Sequence, residues 1–172
     1  MVLFVDELHV ARSLRRVLRS GRFVVSFDRA FADVMAGCAE PRRDEPGTWI
    51  TDDMVEAYTT LARLGYAHSV ETWADGRLVG GLYGVAIGRM FYGESMFSRQ
   101  SDASKVALAT LVRQLGRWEF EMIDCQMSTD HLASLGAREV PRADFLARLR
   151  QLVSRPHVPS PWAPDPDLYN DF

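Results

Sequence analysis

Phe91-Tyr92-Gly93-Glu94-Ser95-Met96-Phe97-Ser98, then an amphipathic stretch, then Met122-Ile123-Asp124-Cys125-Gln126-Met127 decide the fold of this chain. The first run reads as a strand ending in a polar loop. The middle stretch reads as a helix, with Leu108, Leu111, Val112 and Leu115 on its inner stripe. The last run reads as a short strand. Side chains alternate across a strand, so Asp124 and Gln126 are expected on one face, their Cα atoms about 6.6 Å apart at ~3.3 Å per residue. Ile123, Cys125 and Met127 take the other, apolar face. So apolar a strand belongs inside a sheet, where an acid and an amide need partners. Two readings stay open: the pair satisfies loops or helix ends at the sheet edge, or it is a working site.

Moving outward toward the N-terminus, residues 67–73 and 78–86 are expected strands joined by an Asp75-Gly76 hairpin turn. Gly88 marks a second reversal, with a third strand over 90–96. Gly80, Gly81 and Gly84 weaken a strand interior, which suggests bulges or close approach of a ligand to the backbone. Before the meander, residues 8–19 fit a helix with Val10, Leu14, Val17 and Leu18 inward, and 23–27 fit a strand. Asp28 is the expected N-cap of a helix carrying Phe31, Val34, Met35 and Cys38. Thr51 is expected to cap the next helix, which turns Met54, Tyr58, Leu61 and Ala62 inward and stops at Gly65.

Downstream of Ser98, Ser101 or Asp102 should cap the Leu108 to Leu115 helix. A short helix over 129–135 ends at Gly136, residues 137–140 suit a final strand, and Pro141 opens a helix with Phe145, Leu146, Leu149, Leu152 and Val153 apolar. Residues 154–172 hold most of the prolines, show no period and read as an irregular or disordered tail. Helices that alternate with an antiparallel meander predict an α+β domain, its helices packed on a mixed, mostly antiparallel sheet.

A chain of 172 residues suits one compact domain. Its net charge of -3 argues against bulk attraction to nucleic acid or membrane, though not against a local basic patch. One such concentration exists: Arg12, Arg15, Arg16, Arg19 and Arg22. It is either the solvated face of an ordinary helix or a stripe that binds phosphates. Cys38 and Cys125 sit in apolar patterns and read as buried thiols in a reducing compartment. Neither forms a metal-ligand spacing, so no metal and no organic cofactor is expected. No run reaches the ~18 apolar residues of a membrane span and no signal peptide is read, so the expectation is a cytoplasmic protein with no membrane partner. A monomer is expected.

Six motifs carry a family resemblance: Gly47-Thr48-Trp49-Ile50, Gly65-Tyr66-Ala67-His68-Ser69, Gly80-Gly81-Leu82-Tyr83-Gly84, 93–98, Ile123-Asp124-Cys125-Gln126 and His131-Leu132-Ala133-Ser134-Leu135-Gly136-Ala137. Their order resembles the leucyl/phenylalanyl-tRNA–protein transferases across residues 23–153. The resemblance implies a GNAT-like (acyl-CoA N-acyltransferase-like) fold. It implies transfer of Leu, Phe or Met from aminoacyl-tRNA to the α-amine of proteins beginning with Arg or Lys, a tag for degradation. On this view residues 1–24 are a basic helix left from the family's N-terminal region, 25–153 the catalytic domain and 154–172 the tail. Members usually begin with a segment holding a Trp-Trp-Ser-Pro-like stretch that contacts the tRNA's terminal adenosine. The resemblance here starts after it, so either the start at Met1 is late or this is a reduced member.

The resemblance also implies roles. Asp124 and Gln126 are the matched catalytic pair and orient the acceptor amine. Glu94 would pair with the cationic side chain of the acceptor, or is an ordinary surface ion-pair residue. Leu82, Phe91, Met96, Leu108, Leu111 and Leu115 match the pocket for the donor side chain, although their pattern alone also suits plain core. Trp49 would stack on the terminal adenosine, or anchors its loop. Arg12, Arg15, Arg16, Arg19 and Arg22 would follow the tRNA backbone. His68 and His131 lack a nucleophile partner and are left as structural. A coenzyme A-dependent N-acetyltransferase of the same fold is the first alternative. Its phosphate-cradling loop needs glycines, whereas Arg99-Gln100-Ser101-Asp102-Ala103-Ser104-Lys105 has none and places an acid there. A non-catalytic tRNA-binding remnant is the second.

Overall fold

A computed structural model describes residues 1–41, 48 and 50–168. One sheet holds β1 (Val2–Phe4), β2 (Val24–Phe27), β3 (Ala67–Ala74), β4 (Arg77–Ile87), β5 (Met90–Ser98) and β6 (Met122–Asp124), in the order β1-β6-β5-β4-β3-β2. Around it lie α1 (Arg12–Arg19), α2 (Phe31–Ala39), α3 (Asp52–Arg63), α4 (Ala103–Arg117), α5 (Asp130–Ser134) and α6 (Arg142–Val153). Every neighbouring pair is antiparallel except β5 with β6. The result is the expected α+β class, helices packed on a mixed, mostly antiparallel sheet.

Local chemistry fixes the meander. Asp75 and Gly76 both take positive φ, 51° and 72°, which is the geometry of a tight hairpin turn whose twist matches its strands. Thr51 caps α3 by accepting from the Met54 N–H at 3.4 Å. Gly80 and Gly81 admit protein: a Cβ on Gly80 would lie 2.6 Å from the Ala103 Cβ, and one on Gly81 2.6 Å from the Val70 carbonyl oxygen. Gly80 seats α4 against β4 and Gly81 lies tight against the neighbouring strand β3; the close approach is by the chain itself.

Two layers of side chains follow. On one face α4 and α1 cover Leu3, Val25, Phe27, Val70, Leu82, Phe91 and Ile123 in the main core. On the other, α2 and α3 cover Tyr83 and Phe97, and α6 covers Val2, Phe4, Met90 and Met122.

Several expectations are corrected. β1 was not foreseen; it pairs with β6 and makes that strand interior. Residues 137–140 contribute only a single bridge, Val2 to Arg138. Asp28 does not cap α2. Its φ is 54°, and the N–H groups of Arg29 and Ala30 instead donate to the buried Glu71 carboxylate at 3.4 and 3.3 Å. α4 is preceded by Asp102 at φ 69° with no side-chain cap; the Ser98 hydroxyl accepts from the Ser104 N–H at 3.3 Å. Residues 154–168 are irregular yet packed, with Val158, Trp162 and Leu168 buried, so that part of the tail is not disordered. No described helix is long and apolar enough to cross a membrane.

Candidate active site

β5 and β6 share only three parallel pairs, ending at Tyr92 opposite Asp124. β5 then runs on to Ser98 while β6 stops, so the sheet parts at this point. Here the sequence reading is corrected again. Gln126 does not share a strand face with Asp124. It lies past the strand end at φ 59°, its N–H held by Asp124 Oδ1 at 2.9 Å. The acid folds the chain back on itself, a local side-chain turn that a short strand cannot resist. Met127 is likewise outside the strand and 69% exposed. Cys125 is half-buried, and burial pushes its thiol up to about 11.

Opposed residues share a face, so Asp124, Tyr92 and Val2 lie on the α6 side, while Ile123, Leu3 and Phe91 lie on the α4 side. Burial, and then the Asp124 charge, raise the Tyr92 phenol above its ordinary range. Two residues on, Glu94 is the extra residue of a bulge: Tyr83 pairs with Ser95 and Gly84 with Gly93, leaving Glu94 unopposed. The bulge expected near Gly84 is therefore present, and it re-aims an acid. Burial first, and then the neighbouring Glu94 carboxylate, push the Tyr58 phenol of α3 up to about 12. Tyr83, wholly buried beside it, is also raised, mainly by burial.

The six residues matched to a donor pocket do come together. Leu82, Phe91, Leu108, Leu111 and Leu115 are buried in the main core, and half-buried Met96 packs against them. Met96 is opposite Leu82 on the part of β5 beyond β6, so it is the member nearest solvent. Arg12, Arg15, Arg16 and Arg19 also come together, lining an open hollow of ≈ 670 Å³ with Val10 and Ser20. Arg22 departs from this stripe: it donates to Gln100 at 3.3 Å and sits over the Phe23 ring. Trp49 lies outside the described residues. His68 is buried against Asp28 at 2.8 Å, a structural role, and burial lowers His131 below the ordinary imidazole range. Sequence reasoning missed Tyr58 and Tyr92 at this site. Tyr58 carries only a packing period in the sequence, and the bulge at Glu94 leaves no periodic mark.

The sheet thus parts beside a carboxylate, between an apolar face and an acidic one. A family model described as leucyl/phenylalanyl-tRNA protein transferase matches residues 2–150. A protein from Thiobacillus denitrificans named leucyl/phenylalanyl-tRNA–protein transferase is 62% identical over 165 residues, covering 96% of this chain and 72% of its own length. One of the same name from Nitrosospira multiformis is 64% identical over 154 residues, covering 90% and 66%. The chain belongs to the leucyl/phenylalanyl-tRNA protein transferase family. Among solved structures, a ribosomal-protein-alanine N-acetyltransferase from Brucella melitensis biovar Abortus 2308 overlays loosely, with a TM-score of 0.44, 14% identity, and coverage of 81% of this chain and 96% of that one.

Proposed function

We propose that this chain transfers Leu, Phe or Met from aminoacyl-tRNA to the N-terminal α-amine of proteins that begin with Arg or Lys, marking them for degradation in the cytoplasm. The carrying observation is the parting of β5 from β6, with the apolar cluster on one face and Asp124, Tyr92 and Glu94 on the other. Donor side chain and acceptor peptide approach from opposite faces, and the ester lies in the gap between them.

The chemistry is aminolysis of an ester. The neutral acceptor amine attacks the aminoacyl carbonyl carbon, forming a C–N bond and a tetrahedral oxyanion. The C–O bond to the ribose then breaks, the amine gives up a proton and the ribose oxygen gains one. An α-amine has a pKa of about 7.7–8.0, so a useful fraction is neutral near neutral pH. The ester is already activated, so positioning alone can supply ~7–11 kcal/mol. The Gln126 side-chain carbonyl accepts from the attacking amine and is too weakly basic to take its proton. Asp124 fixes the turn that presents Gln126 and favours the ammonium that develops on attack. Glu94 takes the acceptor's guanidinium or ammonium. Arg12, Arg15, Arg16 and Arg19 follow the tRNA backbone without reading bases, which suits several tRNAs. Residues 25–153 carry the catalytic groups, completed by β1 beside β6 and by the buried part of residues 154–168, and the chain works as a monomer without metal or organic cofactor.

The test is transfer of labelled Leu from Leu-tRNA to a peptide starting with Arg, beside the same peptide acetylated at its N-terminus and one starting with Glu. Product on the free Arg peptide alone is expected. Equal labelling of the acetylated peptide, or none of any peptide, refutes the reading.

A further inference from the structure

The segment 154–168 crosses the α4 face of the sheet as a strap tied at each end. The Arg89 guanidinium donates to the Pro156 carbonyl, and His157 Nε2 bonds the Gly65 carbonyl at 2.6 Å. Further on, the Asp165 N–H donates to Gln114 Oε1 at 2.8 Å, and Arg117 pairs with Asp165 at 3.0 Å and Asp167 at 2.6 Å. Gln114 is wholly buried on α4, directly before Leu115.

Between these ties the strap inserts Trp162, 3% exposed. Its ring stacks on His68 at 3.5 Å and 4°, and meets Trp118, Phe120 and Phe91 at 5.0, 6.0 and 6.1 Å. Asp28 keys it in place, accepting from His68 Nδ1 at 2.8 Å, from the Ser69 N–H at 3.0 Å and from the Trp162 N–H at 2.7 Å. The strap thus bears on both walls of the apolar cluster: on β5 through Phe91, and on α4 through Gln114 and Arg117.

We propose that Trp162 is the back wall of the donor pocket and a positioning residue for donor choice, acting through Phe91. The inference rests on the donor-pocket reading above. A close-packed interior resists local change in volume, so a ring fixed behind Phe91 keeps Phe91 from retreating. Donor side chains of different size are told apart only by such limits, because an apolar pocket otherwise separates neighbours weakly. Removing bulk behind Phe91 lets the ring move back, deepens the pocket and favours the larger donor.

The experiment competes Phe-tRNA against Leu-tRNA for an Arg-starting peptide with the parent chain, Trp162→Phe and Trp162→Leu, with melting measured alongside. The ratio of kcat/KM for Phe over Leu should rise about tenfold in Trp162→Leu and less in Trp162→Phe, carried mainly by the donor KM. A parent-like ratio in variants that fold overturns the proposal, whatever their melting temperatures, and leaves the strap as packing alone. If Trp162→Leu does not fold, a parent-like ratio in Trp162→Phe overturns it by itself. Failure of the parent chain to use either donor is a different result: it refutes the transfer reading, and this inference falls with it.

Discussion

Replacing Arg12, Arg15 and Arg16 by Gln should weaken tRNA binding and flatten its dependence on salt. The three are exposed on α1, which is held to the core by buried Leu14 and Leu18 on its other side. With Arg19 they follow the i, i+3, i+4, i+7 rule and span about 10 Å at ~1.5 Å per residue, enough to track successive phosphates. Gln keeps the helix propensity, and exposed substitutions usually shift stability by less than about 0.5 kcal/mol, so the fold should survive. Each neutralised phosphate contributes about 0.9 to the slope of log K against log salt, so three lost contacts remove about 2.7. Between about 50 and 200 mM salt that is about 1.6 decades, a salt effect some 40-fold smaller than in the parent. Fluorescence anisotropy of labelled tRNA across that range measures it. The control is Gln at the exposed Arg77, Arg142 and Arg150, which changes net charge equally. Unchanged affinity and slope in the α1 variant, or an equal effect in the control, would refute a local phosphate stripe. Transfer from aminoacyl-adenosine, which lacks the stem, should be unaffected.

Two further outcomes concern the scaffold. Glu71 is wholly buried and accepts from the Ser26 and Ser69 hydroxyls and from the Arg29 and Ala30 N–H groups just before α2, so Glu71→Ala should cost about 3 kcal/mol in denaturant unfolding; a loss under about 1 kcal/mol would show that those donors find other partners. Burial and Glu94 hold Tyr58 up to about 12, so it keeps its proton longer when folded than when unfolded. Its contribution to stability is therefore complete below about pH 10 and lost as pH rises toward about 12. Tyr58→Phe should remove part of the alkaline decline seen by denaturant titration, and an identical decline in the variant would contradict the assignment.

Much of this architecture is legible in the chain because it is locally encoded. Asp75-Gly76 dictates its turn, Thr51 caps its helix, and Leu108 to Leu115 carry a full helical stripe. What escaped reading depends on distant partners. Val2 to Phe4 has no period of its own and becomes a strand only because β6 lies beside it. Asp28 has the chemistry of a cap, yet its carboxylate is claimed by His68 and by Trp162, which is remote in sequence. The strap looked like a proline-rich tail because its order comes from one tryptophan and a few ties rather than from a repeat. At the site, the alternation rule gave the wrong geometry. Asp124 bonds the chain two residues on and ends the strand before Gln126, a competition between side chain and ladder that spacing alone does not reveal.

That bond offers the most direct measurement. Asn at 124 retains an oxygen that can accept the Gln126 N–H but loses the charge; Ala loses both. Transfer of labelled Leu to an Arg-starting peptide, measured for Asp124→Asn, Asp124→Ala and Gln126→Ala beside thermal melting, separates positioning from packing. The expected result is near-parent melting in all three, with transfer down on the order of 100-fold in Asp124→Ala and Gln126→Ala and less in Asp124→Asn. Near-parent transfer by both Asp124→Ala and Gln126→Ala would contradict the assignment and make the pair a turn of the backbone and nothing more.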